Sequence, residues 1–161
     1  KVKVANITYN GKQRKPAVTV TYNGTKLKLN TDYKVTYSNN KKVGQGKVKI
    51  TGTGAYTGTK NAVFDILPKA GKVTKITNKA GRKLVLKLKK STGAKGYEIT
   101  YATNKKFKSA KKIKSKKTTV TLKKLKKNKT YYVKVRAYAK SGKKTIYSKT
   151  YSKTVKKTVK K

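Results

Sequence analysis

Alternation of apolar and polar residues is the feature that most constrains the fold of this chain. From Tyr131 to Ala137 every second residue is apolar, and Tyr132, Lys134 and Arg136 stand between them. A repeat of two residues is that of a β-strand with one buried and one solvated face. Lysine alternates with Val, Ile, Leu and Tyr in the same way elsewhere in the chain. The sequence therefore predicts an all-β fold with lysines on the outer faces of its sheets.

The net charge alone would argue against folding. The chain has 47 Lys and Arg residues and only three Asp and Glu residues, a formal charge of +44, and 34% of its residues are hydrophobic. High net charge with few apolar residues is typical of disordered chains. However, the lysines alternate with apolar residues, and the many Tyr, Thr and Val residues suit a pleated sheet. We therefore expect a folded β-protein.

A boundary is predicted at Pro68, because proline cannot extend a central strand and Gly71 follows closely. We expect one module over residues 1–68 and a second over residues 69–161. The first contains thirteen basic and two acidic residues, a formal charge of +11, and the second thirty-four and one, a charge of +33. The second module therefore carries most of the charge.

Turn motifs organise the first module. The Asn-Gly pairs at 10–11 and 23–24 predict two hairpins, because both residues of such turns need positive φ. The glycine-rich segment 52–58 predicts a hairpin turn; a phosphate-binding loop would need a helix after it, and no helical pattern follows. Strands are expected at residues 2–9, 17–22, 25–29, 33–38, 46–51 and 62–66.

The second module shows seven short strand patterns separated by turns, which is typical of an antiparallel β-sandwich. The strands are expected at residues 73–77, 83–89, 97–103, 111–114, 118–122, 130–139 and 148–155. The side chains expected in the core are Leu84, Leu86, Leu88, Tyr97, Ile99, Tyr101, Val120, Leu122, Tyr131, Val133, Val135 and Ala137.

Residues 72–156 resemble the fibronectin type III family. The resemblance rests on Leu125 with Tyr131 and the alternation that follows, and on the stretch Lys95 to Tyr101. It implies that Leu125 is a core residue and that the Tyr131 hydroxyl forms a corner hydrogen bond with upstream backbone. Leu88 departs from the pattern, because the family usually has a core tryptophan there.

Residues 1–68 resemble immunoglobulin-like repeat domains of bacterial surface proteins. The segments that carry this resemblance are Tyr9–Lys12, Pro16, Asp32–Asn40, Gly52–Gly58 and Phe64–Ile66. It implies an extracellular, wall-associated protein of Gram-positive type, in which tandem β-modules serve as stalks or binding arms. The two resemblances together imply two tandem antiparallel β-sandwiches, immunoglobulin-like and then fibronectin type III-like.

The composition leaves little for catalysis. Cys, His, Met and Trp are absent, which excludes disulfides, thiolate and imidazole metal ligands, and the usual general base. Of the three acidic residues, Glu98 is expected on an outer sheet face opposite Lys134 or Arg136, Asp32 in a turn, and Asp65 facing outward. We therefore predict no enzyme activity, no catalytic residue, no metal site, no cofactor and no small-molecule substrate. No apolar run approaches the ~18 residues of a membrane span.

The lysines of the second module predict a polyanionic partner, because edge protection and solubility, the alternative explanation, need only a few. Arginine occurs only at Arg14, Arg82 and Arg136, and lysine predominance favours diffuse attraction without bidentate recognition. Tyr132 and Tyr138 beside Lys134 and Arg136 are expected to form a basic-aromatic strip, or else simple cross-strand pairs. The other candidate binding residues are Lys111, Lys112, Lys114, Lys116, Lys117, Lys123, Lys124, Lys126 and Lys127.

Three functions fit these features. The first is a non-enzymatic adhesion or stalk segment of a secreted or cell-surface bacterial protein, held by polycationic contact to an anionic polymer such as wall teichoic acid, acidic polysaccharide or host glycan. The second is sequence-independent binding of nucleic acid, including extracellular DNA. The third is a structural repeat that self-assembles or binds a host protein through its sheet edges.

Overall fold

The computed structural model describes residues 1–160, and all of the regular secondary structure in that range is β-strand. The predicted all-β class is confirmed. The chain divides into two compact units. The first unit contains Lys1–Leu67 together with Lys140–Ile146, and the second contains Pro68–Ala139 together with residues 147–160. Within the described range there is no helix that could cross a membrane.

Seven strands lie before Pro68 and form two sheets, in the orders β1-β3-β4 and β2-β7-β6-β5. The strands are β1 (Val2–Val4), β2 (Ile7–Thr8), β3 (Val18–Tyr22), β4 (Thr25–Lys26), β5 (Tyr33–Ser38), β6 (Gly44–Gly52) and β7 (Thr59–Leu67).

The single strand predicted over residues 2–9 is wrong. The chain is interrupted between β1 and β2, so that β1 pairs antiparallel with β3 while β2 pairs parallel with β7. At the break, the Asn6 side-chain oxygen accepts a hydrogen bond from the backbone N of Asp65 at 2.8 Å. A side chain that bonds to backbone offers an alternative to the strand ladder. The N-terminal segment therefore passes from one sheet to the other between β1 and β2, and the β2–β7 pair is parallel.

Two of the three predicted turns are confirmed. Asn23 and Gly24, with φ of 43° and 81°, connect the paired strands β3 and β4, as an Asn-Gly hairpin requires. The segment after Gly52 joins the antiparallel strands β6 and β7, with Gly52 N donating to Gly58 O at 3.0 Å. The hairpin predicted at residues 10–11 is wrong, because β2 and β3 belong to different sheets. The strand predicted at 25–29 ends at Lys26.

Tyrosine hydroxyls help to hold the core of the first unit. Tyr33 is 3% exposed and donates its hydroxyl to Val18 O at 2.8 Å, and Tyr37 donates to Pro16 O at 2.5 Å. Burial, followed by the proximity of Tyr33, raises the pKa of Tyr37. The rest of this core includes Leu27, Val48 and Ile50.

Asp65 is buried, and the prediction that it faces outward into solvent is wrong. Its neighbours Phe64 and Ile66 are also buried. Within the first unit, its carboxylate accepts a hydrogen bond from the Ser141 hydroxyl at 2.5 Å and lies 2.8 Å from Lys144 Nζ. The carboxylate does point to the opposite face from Phe64, but polar partners cover that face. A buried carboxylate is tolerated because it is paired and hydrogen-bonded.

Eight strands follow Pro68, arranged as a β12-β9-β8 sheet and a β11-β10-β13-β14 sheet in which β15 also pairs with β13. The strands are β8 (Lys72–Lys79), β9 (Lys83–Lys89), β10 (Gly96–Ala102), β11 (Lys111–Ser115), β12 (Thr119–Leu122), β13 (Thr130–Ser141), β14 (Lys144–Tyr147) and β15 (Val155–Thr158).

The core of the second unit matches the sequence prediction. All twelve predicted inward residues are buried, and Leu84, Leu86, Ile99, Val133, Val135 and Ala137 are fully inaccessible. Leu88 stands where the fibronectin type III family usually has a core tryptophan. It is 7% exposed and belongs to the same core. The period-two pattern therefore identified the buried faces of these strands correctly.

The last predicted strand, residues 148–155, is wrong. The chain leaves regular pairing after Tyr147 and resumes it only at Val155. In the interruption, Ser152 N donates to Val135 O at 2.7 Å, and the Ser152 hydroxyl accepts from Val135 N at 3.0 Å. A serine that satisfies both backbone groups of a neighbouring residue replaces a rung of the ladder. The interruption places Tyr151 beside β13.

Two leucines of the first unit allow a matched test of this core. Leu27 is 7% exposed, whereas Leu29, two residues later, is 47% exposed. We expect Leu27→Ala to lower the free energy of unfolding by about 2–5 kcal/mol, since it leaves a cavity. Leu29→Ala should change it by less than about 0.5 kcal/mol. Denaturant titration of both variants measures the difference, and equal losses would contradict this core assignment.

Candidate functional site

The outer face of the β11-β10-β13 sheet collects basic and aromatic side chains. Along β13 the inward residues are buried, and Tyr132, Lys134, Arg136 and Tyr138 alternate with them on the other face. The register places Glu98 of β10 opposite Arg136 on one side and opposite Lys114 of β11 on the other. Residues that are opposite in neighbouring strands share a face, so these charges are neighbours.

Cations and aromatic rings alternate in a row across this face, which we name the cation–aromatic ladder. Lys134 Nζ lies 4.1 Å from the ring centre of Phe107 and 4.6 Å from that of Tyr151. The Arg136 guanidinium carbon lies 5.1 Å from the Tyr151 ring centre and 3.8 Å from that of Tyr147. The row, in spatial order, is Phe107, Lys134, Tyr151, Arg136, Tyr147, Lys114 and Tyr138.

Glu98 anchors the centre of the ladder. Arg136 Nε donates to Glu98 Oε1 at 2.8 Å, and Arg136 Nη2 forms an ion pair with the same oxygen, also at 2.8 Å. Glu98 lies on the outer sheet face opposite Arg136, one of the two partners predicted for it, yet it is only 5% exposed. The reason is that Arg136, itself stacked on Tyr147, lies over it. Removing one partner of a desolvated, hydrogen-bonded ion pair strongly destabilises the folded state, because the other charge stays buried without compensation.

Lys114 extends the ladder to the edge strand. Its Nζ lies 5.6 Å from the Tyr147 ring centre and 5.8 Å from that of Tyr138. A hydrogen bond to Tyr147, together with smaller contributions that include Glu98, raises the pKa of Lys114. Lys114 is therefore cationic, and it has tyrosine and carboxylate neighbours within the protein.

Gly96 makes room for the end of the ladder. A Cβ atom at this position would lie 2.6 Å from the backbone oxygen of Ser115 and would also collide with the Tyr138 hydroxyl. Gly96 is paired with Tyr138 in the strand register. The absence of a side chain therefore lets the Tyr138 ring lie across β10.

The predicted basic-aromatic strip is only partly assembled. Tyr138, Lys134 and Arg136 belong to the ladder, whereas Tyr132 lies further along β13, opposite Ala102 and Lys156. Sequence reasoning missed the three rings Phe107, Tyr147 and Tyr151. For the two tyrosines a signal exists, because Tyr-Ser-Lys-Thr occurs twice in succession at residues 147–154. Four-residue spacing does not match a strand repeat of two, which is why the strand prediction overlooked it.

The remaining candidate lysines are exposed, and six of the eight line one of two clefts. The corner cleft, of about 420 Å³, lies between the β10–β11 and β12–β13 connections and is lined by Lys111, Lys123, Lys124 and Lys126. A second cleft, of about 450 Å³, is lined by Lys90, Lys116 and Lys117. The exposed Lys112 and Lys127 line neither of them. The sequence runs of lysine are therefore separated in space.

The corner hydrogen bond that the family resemblance implies is present. Lys126 N donates to the Tyr131 hydroxyl oxygen at 3.0 Å. Leu125, between the lysine pairs of this connection, is 3% exposed and belongs to the core. The chain is thus fixed at the β12–β13 connection while its lysines project into solvent.

All three acidic residues of the chain are used in internal interactions. The Asp32 carboxylate accepts from Lys28 N at 2.7 Å, which agrees with the predicted turn role. Asp65 is bound to Ser141 and Lys144, and Glu98 to Arg136. Most of the lysines consequently have no carboxylate near them, and their positive field reaches solvent.

The chain is similar to known proteins over part of its sequence and over its fold. The family model described as "Fibronectin type III domain" matches residues 71–154, slightly more than half of the chain. A search of curated proteins gave no match.

Solved structures with a similar arrangement include the FN1-FN3 domains of chicken CNTN1. That structure has 17% identity and a TM-score of 0.48, with coverage of 100% of this chain and 66% of the other. Domains A168-A170 from titin have 13% identity and a TM-score of 0.48, with coverage of 98% and 62%. The chain spans less than two thirds of the length of either structure.

The ladder can be tested with two Arg→Lys substitutions. Arg136→Lys removes a planar group that stacks on Tyr147 and holds Glu98 through two nitrogens, and we expect it to lower the free energy of unfolding by about 1–3 kcal/mol. Arg82 is exposed in a turn, so Arg82→Lys is the control, with an expected change below about 0.5 kcal/mol. Thermal or denaturant unfolding measures both. An Arg136→Lys variant as stable as the control would show that the ladder contributes nothing to stability.

Proposed function

The chain belongs to the fibronectin type III domain family, and on that premise we propose that it is a non-enzymatic adhesive or stalk segment of a secreted or cell-surface bacterial protein. It binds anionic polymers through the lysines of its second unit. Candidate polymers are wall teichoic acid, acidic polysaccharide and host glycan. Domains of this family are typically structural modules without catalytic activity, which supports the non-enzymatic assignment.

The observation that carries this proposal is the exposed, unneutralised charge of a folded surface. The sequence from residue 69 onward has a formal charge of +33, and its one carboxylate, Glu98, is buried beneath Arg136. Like charges at this density oppose the compact state. A surface that serves only solubility needs far fewer charges. Binding of a polyanion offsets the repulsion and makes use of the charge.

The chemistry of lysine favours a partner that is recognised by charge density. An ammonium group is a hydrated point charge without the planar fork of arginine. The single arginine on the outer face of β13, Arg136, is occupied by Glu98, Tyr147 and Tyr151. Affinity would therefore come mainly from release of counterions condensed on the polymer.

Nucleic acid is the second candidate, and the ladder weighs against it. Proteins that bind single strands without sequence preference usually stack bases on accessible aromatic rings. Here Tyr138, Tyr147 and Tyr151 already contact cations of the protein. At the ladder, nucleic acid would consequently interact through its phosphates, in the same way as other polyanions.

The resemblance of the first module to bacterial surface repeats supports a spacer role for it. Its charge is a third of that of the second module, +11 against +33. We propose that it extends the chain from the cell wall, while the second module makes contact with the polymer. A self-assembling repeat would behave differently, because its oligomers would persist at high salt.

A salt series tests the polyanion proposal. We expect poly(glycerol phosphate), heparin and polygalacturonate to bind, with log K falling linearly with log salt by about 0.7–0.9 for each charge neutralised. Duplex DNA should give a similar slope, and neutral dextran should not bind. Isothermal titration between 50 and 300 mM NaCl measures these slopes, within the range in which the Debye length changes strongly (about 10 Å at 0.1 M).

The outcomes of this series separate the three functions. Binding of the three non-nucleic polymers that weakens with salt supports the proposal. DNA binding that persists at high salt, when the other polymers have dissociated, would favour the nucleic-acid alternative. Salt-insensitive oligomers in sedimentation, without polymer binding, would favour self-assembly.

Thermal stability provides an independent prediction. A polymer that binds only the folded state stabilises it by linkage, by about 2.7 kcal/mol at a hundredfold excess over Kd. We therefore expect poly(glycerol phosphate) at low salt to raise the melting temperature of the second unit, and dextran at equal mass to leave it unchanged. Sodium chloride alone should raise it too, because salt screens self-repulsion. A melting temperature that falls with the polymer would contradict binding to the folded state.

A further inference from the structure

The corner cleft differs from the second cleft in its lining, which contains four lysines against three. Lysines from two separate connections line its walls: Lys111 after the β10–β11 connection, and Lys123, Lys124 and Lys126 from the β12–β13 connection. Its floor is formed by Tyr101, Leu125 and Tyr131, all of which are less than 10% exposed. Four lysines in the lining of a cleft of about 420 Å³ give it a high local density of basic residues.

The β10–β11 connection is held by hydrogen bonds of its own. The Asn104 side chain accepts from Lys108 N at 3.0 Å and donates to Lys108 O at 2.9 Å. Phe107 N also donates to Asn104 O at 3.2 Å. The Phe107 ring contacts Lys134 Nζ, so this connection also contacts the end of the cation–aromatic ladder.

The β12–β13 connection is fixed as well. Leu125 N donates to Arg82 O at 3.2 Å, and Lys126 N donates to the Tyr131 hydroxyl oxygen. Lys124 has a φ of 54°, a left-handed conformation that a lysine rarely adopts outside a tightly defined turn. Because the backbone of this connection is already ordered, a ligand has to order only the lysine side chains, which lowers the free-energy cost of binding.

The floor supplies hydroxyl donors. The Tyr131 oxygen already accepts a bond from Lys126 N, which leaves its O–H proton for another acceptor. Within residues 1–160, neither Tyr101 nor Tyr131 donates its hydroxyl to a protein acceptor. Burial, and then the proximity of Tyr131, raises the pKa of Tyr101, so that its hydroxyl keeps its proton. An anion entering the cleft therefore meets ammonium groups at the walls and phenol groups below.

From this arrangement we propose that the corner cleft holds one tetrahedral oxyanion group, a phosphate or a sulfate, of a bound polymer. A tetrahedral group presents oxygens in several directions, which suits donors on opposite walls and on the floor. A carboxylate presents both oxygens in one plane and can satisfy fewer of them. The site deepens the proposed function and rests on it: the cleft anchors one group, while the surrounding lysines attract the rest of the chain.

Two matched double variants test the cleft. Lys123→Gln/Lys126→Gln removes two charges from its wall, and Lys116→Gln/Lys117→Gln removes two from the second cleft. All four residues are exposed, so both variants should fold. Inorganic pyrophosphate, titrated at 150 mM salt and followed by NMR shifts of the tyrosine rings, is the small probe. We expect about a tenfold loss of affinity in the first variant and less than twofold in the second.

A third variant tests the floor. Tyr101→Phe removes one hydroxyl and no charge, and we expect about a fivefold loss of pyrophosphate affinity with a melting temperature close to that of the unchanged protein. Tyr9→Phe removes a tyrosine hydroxyl outside both clefts and is the control; it should leave pyrophosphate affinity unchanged. Unchanged pyrophosphate affinity in Tyr101→Phe would overturn the role of the floor in the proposal.

Oligomers identify the preferred group. The Lys123→Gln/Lys126→Gln variant should bind glycerol-phosphate oligomers and sulfated oligosaccharides about tenfold more weakly than the unchanged protein does. The oligomer whose affinity falls more carries the better ligand group, phosphate or sulfate. The affinity for oligogalacturonate should fall no further in this variant than in the Lys116→Gln/Lys117→Gln control. Equal losses in both double variants for every oligomer would overturn the cleft while leaving the polyanion function intact. Absence of polymer binding to the unchanged protein would overturn the function itself.

Discussion

Mutual repulsion of lysine side chains is the constraint on which the rest of this structure depends. A formal charge of +44 must be kept at the surface of two small β-units, and in this chain a strand repeat of two achieves this by alternating lysine with apolar residues. A shift of one residue in the register of β9 or β13 would move ammonium groups into the core and leucine or valine into water. The alternation therefore specifies the register as well as the fold.

The three carboxylates are explained by the same constraint. In a field this positive, an exposed carboxylate would gain little from any one neighbour and would neutralise little of the total charge. Asp65 and Glu98 are instead buried, where each is paired with a cation and hydrogen-bonded. Asp32 bonds to a backbone amide in a turn. Each acid thus fixes a local conformation, and the field of the lysines remains available at the surface.

Sequence patterns predicted what depends on local repeats. The buried faces of β9, β10, β12 and β13 follow from strand alternation, which also placed Glu98 opposite Lys134 or Arg136. The structure selects Arg136. The burial of Asp65 could not be predicted, because its partners Ser141 and Lys144 lie more than seventy residues away along the chain. The same holds for Tyr147 and Tyr151, whose position depends on Ser152 interrupting the last strand, and for the corner cleft, whose walls come from two connections. Contacts between distant segments leave no periodic signal.

The basic groups of the second unit fall into two physical classes, and this division explains how one surface can be both stable and adhesive. Lys114, Lys134 and Arg136 are held between aromatic rings, so their charges stabilise the outer face of the sheet. The lysines of the edges and connections are solvated and keep their conformational freedom. A polymer can therefore exchange counterions for the second class without disturbing the first. Removing exposed lysines should weaken binding without unfolding the unit, because the groups that maintain the sheet are different ones.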